Sequence, residues 1–202
     1  MIFIDDLSDR ALELLEKYPF VSGITTNSSI LKSGGYTLSE AVSVLRDVRG
    51  VHFIQGSLKD EEWSNVLLKQ NLSEKFVVKL VWVPGSVERI AQTLKENGYK
   101  ICATAVYTTG QGLSALEFGV DWIAVYYDRM ARNGMNPSEL ITWFLKRNAN
   151  VLVASLKSVD QIEKVLRLGN VSVTLPTNLF EEFVRPVFPE DDFERFEGDF
   201  RL

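Results

Sequence analysis

One lysine of the chain lies inside an otherwise apolar segment. Lys79 interrupts the run FVVKLVWV at residues 76–83, and parallel strands that are covered on both faces are usually apolar throughout. Burial disfavours the charged ammonium form of a lysine and so supplies the neutral amine that attacks a carbonyl carbon. The pattern indicates a nucleophilic lysine; the alternative is a side chain that snorkels from a strand end into solvent.

Polar side chains end or follow six further apolar runs. They are Asp5, the group Thr25-Thr26-Asn27, Gln55, Thr104, the pair Tyr126 and Arg129, and Ser155. In parallel sheets and barrels the carboxyl ends of the strands meet at one edge, where sites are built. We expect these side chains to line one site together with Lys79.

Asp5 and Arg129 each have a structural alternative to a role in such a site. Asp5 could orient the lysine or bind a substrate hydroxyl, or it could cap a following helix, although Asp6 or Ser8 could supply that cap. Arg129 could pair with a phosphate in fork geometry or form a surface ion pair. Ser155 could add a hydroxyl beside a helix N-terminus, which favours anions.

His52 is the single histidine of the sequence. It is out of phase with Phe53 and Gln55 in the alternation of its strand, so we expect it to face the helices and to be structural.

Eight short runs rich in β-branched residues alternate with segments of helical pattern. The runs lie at residues 2–5, 21–25, 51–55, 76–81, 100–105, 121–126, 150–155 and 171–175. Helices are predicted at residues 7–18, 39–48, 60–71, 85–97, 109–118, 137–147 and 158–168. Such alternation predicts parallel strands joined by crossover helices.

Eight βα units favour a single-domain (β/α)8 barrel of the α/β class, a TIM barrel, over residues 1–188. The alternative is a doubly wound sheet, which usually carries a glycine-rich phosphate loop after an early strand. The first turn here, residues 5–8, contains no glycine. The segment Gly110-Gln111-Gly112 is too short and too late in its unit for such a loop, so we expect it to open a helix.

An extra helix is predicted over residues 189–202, after the eighth unit. It places Phe193, Phe196 and Phe200 on one stripe, which needs an apolar partner. That partner is either the chain's own barrel or a second copy of the chain.

The composition excludes several classes of function. With 22 Lys plus Arg against 27 Asp plus Glu, the chain lacks the basic excess of a nucleic-acid binder. The single cysteine, Cys102, and the absence of a Cys/His cluster argue against disulfides and structural zinc. No run is long enough to span a membrane, and the start MIFIDDLSDR does not resemble a signal peptide. We expect a cytoplasmic protein that binds neither nucleic acid nor membrane.

Seven segments, in order, resemble the transaldolase family, in particular its short-chain branch, which includes fructose-6-phosphate aldolase. They are FIDD at 3–6, GITTNSSIL at 23–31, FIQ at 53–55, VVKL at 77–80, ATAVYTTGQGL at 103–113, VYYDR at 125–129 and VASLK at 153–157. Each falls at a predicted strand end.

The resemblance implies a role for each of these positions. Lys79 is the Schiff-base lysine and Asp5 the carboxylate beside it, Asn27 binds the dihydroxyacetone portion of the substrate, and Thr26 is a further substrate-binding residue. Gln55, Thr104 and Tyr126 hold a catalytic water and move protons, and Arg129 and Ser155 bind the phosphate. It implies no metal and no organic cofactor, and rings of five or ten chains in which the C-terminal helix reaches a neighbour.

Three activities remain open under this resemblance. The first is a class I aldolase that cleaves or forms fructose 6-phosphate, or a similar ketose phosphate, through dihydroxyacetone and glyceraldehyde 3-phosphate. The second is a transaldolase of the pentose phosphate pathway, and the third a barrel that binds sugar phosphates without turnover. Gln55 and Tyr126 favour the first, because transaldolases of the family tend to carry glutamate and phenylalanine there.

Three positions depart from the family pattern. Ser28 stands where a proline usually follows the asparagine, and Val81 where a proline usually lies two residues after the lysine. Asp128 replaces an asparagine before Arg129, and we expect this acid to lie near the phosphate and weaken its attraction.

Overall fold

Eight parallel strands form the centre of the computed structural model, which describes residues 1–58, 62–186 and 192–198. The strands are β1 (Ile2–Ile4), β2 (Val21–Ile24), β3 (His52–Gln55), β4 (Phe76–Val81), β5 (Lys100–Val106), β6 (Trp122–Tyr126), β7 (Val151–Ala154) and β8 (Ser172–Leu175). Their hydrogen-bonded order is β2-β1-β8-β7-β6-β5-β4-β3. All eight predicted strands are present, with ends that agree to within one residue.

The two outer strands of this order, β2 and β3, meet at a seam. Val51 N donates to Ser22 O at 3.0 Å and Thr26 N donates to Phe53 O at 2.8 Å. The backbones approach closely, since a Cβ on Gly23 would lie 1.9 Å from Val51 O. The seam brings the sheet round into a nearly closed barrel, and the predicted (β/α)8 fold is confirmed.

Helices follow the strands along the chain, two of them after β8. They are α1 (Asp9–Lys17), α2 (Ser28–Gly34), α3 (Leu38–Leu45), α4 (Ser64–Leu68), α5 (Glu88–Glu96), α6 (Thr109–Phe118), α7 (Tyr127–Arg132), α8 (Pro137–Leu145), α9 (Val159–Leu166), α10 (Thr177–Val184) and α11 (Asp192–Gly198). The sequence did not predict α2, α7 or α10. The helix predicted over 60–71 is reduced to α4, and residues 60 and 61 lie outside the described ranges. As predicted, Gly110-Gln111-Gly112 lies at the start of a helix, α6.

The barrel interior contains a layer of apolar side chains that fixes the level of the site. Its members are Phe3, Phe53, Val77, Cys102, Ala124 and Leu152. Two residues further along each of these strands come Asp5, Gln55, Lys79, Thr104, Tyr126 and Ala154. Because side chains alternate between the two faces of a strand, these six residues form the next layer towards the carboxyl end. Burial raises the pKa of the Cys102 thiol to about 12, so the cysteine is a neutral part of the apolar layer.

Candidate active site

A polar cavity of about 340 Å³ opens at the carboxyl ends of the strands. It is lined by Asp5, Asn27, Ser28, Ser29, Gln55, Lys79, Val81, Ala105, Tyr126, Arg129, Ala154, Ser155 and Lys157. Seven of the nine predicted site residues are among them. The other two, Thr26 and Thr104, are fully buried and contact cavity residues from behind.

Lys79 is held in the wall of this cavity. Its side chain is 2% exposed, so it does not snorkel into solvent. Nζ donates to the carbonyl oxygen of Thr26 at 2.9 Å, and no ion pair joins it to a carboxylate of the described residues. The amine is thus placed by one backbone acceptor rather than by a counter-ion.

Asp5 is free to face the cavity because other side chains cap the following helix. The Ser8 hydroxyl accepts from Ala11 N at 3.3 Å, and Asp6 accepts from the Ser8 hydroxyl at 2.6 Å. Asp5 Oδ1 instead accepts from the Thr25 hydroxyl at 2.8 Å. The helix-cap alternative for Asp5 is therefore wrong.

Thr26 and Asn27 take different positions after β2. The Thr26 hydroxyl donates to Phe53 O at 3.3 Å. Its side chain therefore links β2 and β3 at the seam, while its carbonyl oxygen accepts from Lys79. Asn27 Oδ1 caps α2 by accepting from Ser29 N and Ile30 N at 2.9 and 3.0 Å. The amide nitrogen of Asn27 is a hydrogen-bond donor with no acceptor among the described residues, and it can contact a ligand.

Two hydroxyl groups meet at the wall formed by β5 and β6. Thr104 Oγ1 lies 3.0 Å from Tyr126 OH, and Gln55 lines the same cavity. Thr104 is buried whereas Tyr126 is partly exposed. Such a pair can hold a water molecule and pass a proton between it and the phenol.

Cationic groups lie on the side of the cavity formed by β6 and β7. The Arg129 guanidinium lies 4.8 Å from the ring centroid of Tyr126 and donates to Tyr107 OH at 3.4 Å. Lys157, which we did not single out from the sequence, also lines the cavity, two residues after Ser155. Arg129 and Lys157 thus set two cationic side chains against the carboxylate of Asp5 in the cavity lining, although the whole chain carries −5. The site therefore favours an anionic ligand.

Asp128 does not reach this cavity. Its carboxylate pairs with Arg132 at 2.7 Å and accepts from Gln161 Nε2 at 3.1 Å. The expectation that Asp128 places an acid beside a bound phosphate is wrong, because its side chain points towards α9.

Two cavity residues adopt strained backbone conformations. Ala105 has φ 56° and Ser155 has φ 62°, in the left-handed region that residues with a Cβ rarely occupy. Each lies at the carboxyl end of its strand. Strain of this kind is typical of functional sites, where the surrounding fold maintains it.

Among the described residues no group of His, Cys, Asp and Glu could hold a metal ion. In the same part of the chain, no helix has the length and apolar character needed to cross a bilayer.

Fold and site together define a (β/α)8 barrel with a buried amine in a cationic cavity. The chain belongs to the transaldolase/fructose-6-phosphate aldolase family: the family model described as Transaldolase/Fructose-6-phosphate aldolase matches residues 62–191. This segment contains Lys79, Tyr126 and Arg129, whereas Asp5 and Asn27 precede it. The predicted family is thereby confirmed, and the protein is an aldolase or transaldolase.

Relatives extend the similarity to the rest of the chain. A probable fructose-6-phosphate aldolase of Streptococcus pneumoniae (strain ATCC 700669 / Spain 23F-1) is 30% identical over 193 residues, which cover 86% of this chain and 85% of the relative. A probable transaldolase of Streptococcus equi subsp. zooepidemicus (strain MGCS10565) is 22% identical over 210 residues, covering 98% and 96%.

Solved structures support the fold. A 3-hexulose-6-phosphate synthase has a TM-score of 0.65 at 18% identity, covering 90% of this chain and 96% of that one. FabK from Thermotoga maritima has a TM-score of 0.60 at 18% identity, covering 88% and 58%. At this identity the likeness concerns the barrel alone.

Proposed function

We propose that the protein is a class I aldolase in which Lys79 forms a Schiff base with the keto carbon of fructose 6-phosphate or a similar ketose phosphate. The observation that carries the proposal is the burial of the Lys79 amine in the wall of a polar cavity whose other side is cationic. The cavity volume is in the range of small-molecule sites.

The first half of the reaction cleaves the sugar. Neutral Lys79 adds to C2 of the ketose, and loss of water gives an iminium, which withdraws electrons from the neighbouring carbon atoms. Asp5 takes the proton of the C4 hydroxyl, the C3–C4 bond breaks, and its electrons form an enamine on Lys79. Glyceraldehyde 3-phosphate leaves. The iminium is the electron sink, so the proposed step calls for no metal or organic cofactor.

The second half releases dihydroxyacetone. The enamine accepts a proton at C3 from a water molecule or from the Tyr126 phenol, which restores the iminium. Water then adds to C2, and the carbon–nitrogen bond breaks to free Lys79 and the ketone. Gln55 and Thr104 would hold this water, since an amide and a hydroxyl both donate and accept hydrogen bonds.

The cations of the cavity would bind the phosphate. Arg129 presents a planar fork of donors that matches phosphate oxygens, and Lys157 adds a point charge. The Ser155 hydroxyl lines the same cavity as these two cations and would complete the phosphate site. Asn27 would bind the dihydroxyacetone portion through its amide nitrogen.

Transaldolase activity is the second candidate, because a probable transaldolase aligns over 98% of the chain. Gln55 and Tyr126 argue for the aldolase, since together with Thr104 they offer a site for the hydrolytic water.

Measuring fructose 6-phosphate cleavage with and without erythrose 4-phosphate separates these functions. Cleavage without an acceptor, abolished in Lys79→Met but retained in Lys75→Met, supports the aldolase. Lys75 is the matched control. It comes immediately before β4, at the end of the strand away from the cavity, and its Nζ donates to Val48 O at 2.6 Å. Turnover only with erythrose 4-phosphate would establish a transaldolase instead. Binding of the sugar without either reaction would leave a barrel that only binds.

A further inference from the structure

A line of buried polar side chains runs beneath the cavity from β8 to β1. Thr174 Oγ1 lies 2.6 Å from Thr25 Oγ1, and Thr25 Oγ1 donates to Asp5 Oδ1 at 2.8 Å. Thr25 is 0% and Thr174 1% exposed, and neither lines the cavity. Neither threonine can therefore contact a ligand directly, and their hydrogen bonds lead to Asp5, which does line the cavity.

Strand register brings the three residues together. β1 lies between β2 and β8, with Phe3 opposite Thr174 and Ile4 opposite both Ile24 and Leu175. Thr174 belongs to the interior face of β8, because its neighbours Val173 and Leu175 belong to the core outside the barrel. The Thr25–Thr174 contact thus crosses over β1 inside the barrel, directly below Asp5.

The number of hydroxyl protons fixes the direction of this chain. Each threonine has one hydroxyl proton, and an ionised carboxylate can only accept. The Thr25 proton is directed to Asp5, so the proton between the two threonines must come from Thr174. The order is Thr174 to Thr25 to Asp5, with every donor directed towards the carboxylate.

This order leaves one carboxylate oxygen available. Oδ1 of Asp5 is occupied by Thr25, whereas Oδ2 accepts no hydrogen bond from any residue in the described ranges. We propose that Thr174 is a positioning residue that, through Thr25, holds the Asp5 carboxylate with Oδ2 turned to the substrate hydroxyl. The inference rests on the proposed function, in which Asp5 takes the proton from C4.

Steady-state kinetics of fructose 6-phosphate cleavage test this role. Thr174→Val keeps the shape of the side chain but removes its proton, and we expect kcat to fall about three- to tenfold, the scale of one hydrogen bond, with KM nearly unchanged. Thr174→Ser should restore kcat to within about twofold, because it keeps the hydroxyl. Ser172→Ala, which removes a hydroxyl from the same face of the same strand, should leave kcat unchanged.

A double-mutant cycle decides whether the effect passes through Asp5. In an Asp5→Asn background, Thr174→Val should cause no further loss, since the group it positions is gone. An equal fall of kcat in both backgrounds, or a wild-type kcat in Thr174→Val, overturns the inference.

Folding is checked by circular dichroism. If Thr174→Val does not fold, Thr174→Cys, whose thiol is only a weak donor, replaces it and is judged by the same outcomes. A wild-type protein that neither cleaves nor transfers contradicts the proposed function and this inference together. An active wild type with an unaffected Thr174 variant contradicts the inference alone.

Discussion

Thr104 Oγ1 and Tyr126 OH lie 3.0 Å apart, one on β5 and the other on β6. Thr104 is buried behind the cavity wall, whereas Tyr126 faces the cavity. The hydroxyl of one residue therefore orients that of the other. In the proposed reaction this pair decides whether the enamine on Lys79 is protonated by water or survives to meet an acceptor sugar.

Removing the phenol should change the balance of the two reactions. We expect Tyr126→Phe to lower cleavage of fructose 6-phosphate by roughly ten- to a thousandfold, the usual scale for one acid–base group. Transfer to erythrose 4-phosphate should fall less or rise, because the enamine lives longer. Both rates are measured with coupled assays.

Tyr127→Phe is the matched control, since Tyr127 OH contacts Ser138 at 3.3 Å and does not line the cavity. Equal losses of cleavage and transfer in Tyr126→Phe, or a wild type that transfers faster than it cleaves, would show that the proton-relay assignment is wrong.

Loss of Arg129 should affect phosphorylated substrates selectively. In the synthetic direction, we expect Arg129→Ala to raise KM for glyceraldehyde 3-phosphate roughly ten- to a hundredfold, as for the loss of a charge-assisted hydrogen bond. KM for unphosphorylated glyceraldehyde should change little. Arg132→Ala, whose guanidinium pairs with Asp128 outside the cavity, serves as the control. A similar rise for both aldehydes would contradict the phosphate assignment.

His52 makes the seam between β2 and β3 sensitive to acid. Its Nδ1 accepts from Ile24 N at 3.2 Å, which protonation would abolish. Burial lowers its pKa from 6.5 to about 4. The unfolded chain therefore takes up this proton at a higher pH than the folded protein does. The free energy of unfolding contributed by His52 is complete above pH 6.5 and falls by about 3 kcal/mol as the pH drops to 4.

Urea denaturation at pH 7 and pH 5 measures this contribution. His52→Asn keeps an acceptor for Ile24 N but does not titrate. The acidic residues are the same in both proteins, so their contribution to the pH dependence cancels when the two proteins are compared. We expect the wild type to lose about 2 kcal/mol more than His52→Asn between the two pH values. Equal losses in both proteins would show that the histidine is not buried as a neutral group.

The C-terminal helix is expected to join chains into rings of five or ten. On α11, Phe193 is 54% and Phe196 63% exposed; Phe200, the third residue of the predicted stripe, lies outside the described ranges. Light scattering should give an oligomer for the full chain and a smaller species for a chain that ends at Pro189. Phe196→Ser should weaken assembly in the same direction. A monomeric full-length protein would refute the prediction.

The strand alternation explains why the sequence predicted so much of the site. Each residue of the apolar interior layer is followed two positions later by a residue at the level of the cavity, as Val77 is by Lys79 and Phe3 by Asp5. A period of two residues is visible in a sequence, and the barrel places strand ends side by side. The layer of residues at the level of the cavity could therefore be predicted from the sequence alone.

The residues whose positions were predicted wrongly or not at all follow the strand ends, where the two-residue alternation no longer applies. Asp128 falls in the six-residue helix α7, whose pattern is too short to detect and which turns the side chain towards α9. The positive φ of Ser155 redirects the chain after β7, and no strand period could therefore indicate that Lys157 lines the cavity. Asn27 could have indicated the start of α2, because asparagine is favoured at the N-cap of a helix. The helix was missed because it has only seven residues, which is too short for a clear helical pattern.

The Lys79 amine, held 2.9 Å from Thr26 O, is the group that we expect to form the covalent intermediate. Adding borohydride together with dihydroxyacetone or fructose 6-phosphate reduces any iminium to a stable amine, which peptide mass spectrometry then locates. Lys157 is the other lysine of the cavity, so the two sites compete in one experiment. We predict an adduct on the peptide that contains Lys79, retained in Lys157→Ala and absent in Lys79→Ala. An adduct confined to Lys157 or another lysine, or full activity in Lys79→Ala, would contradict the account.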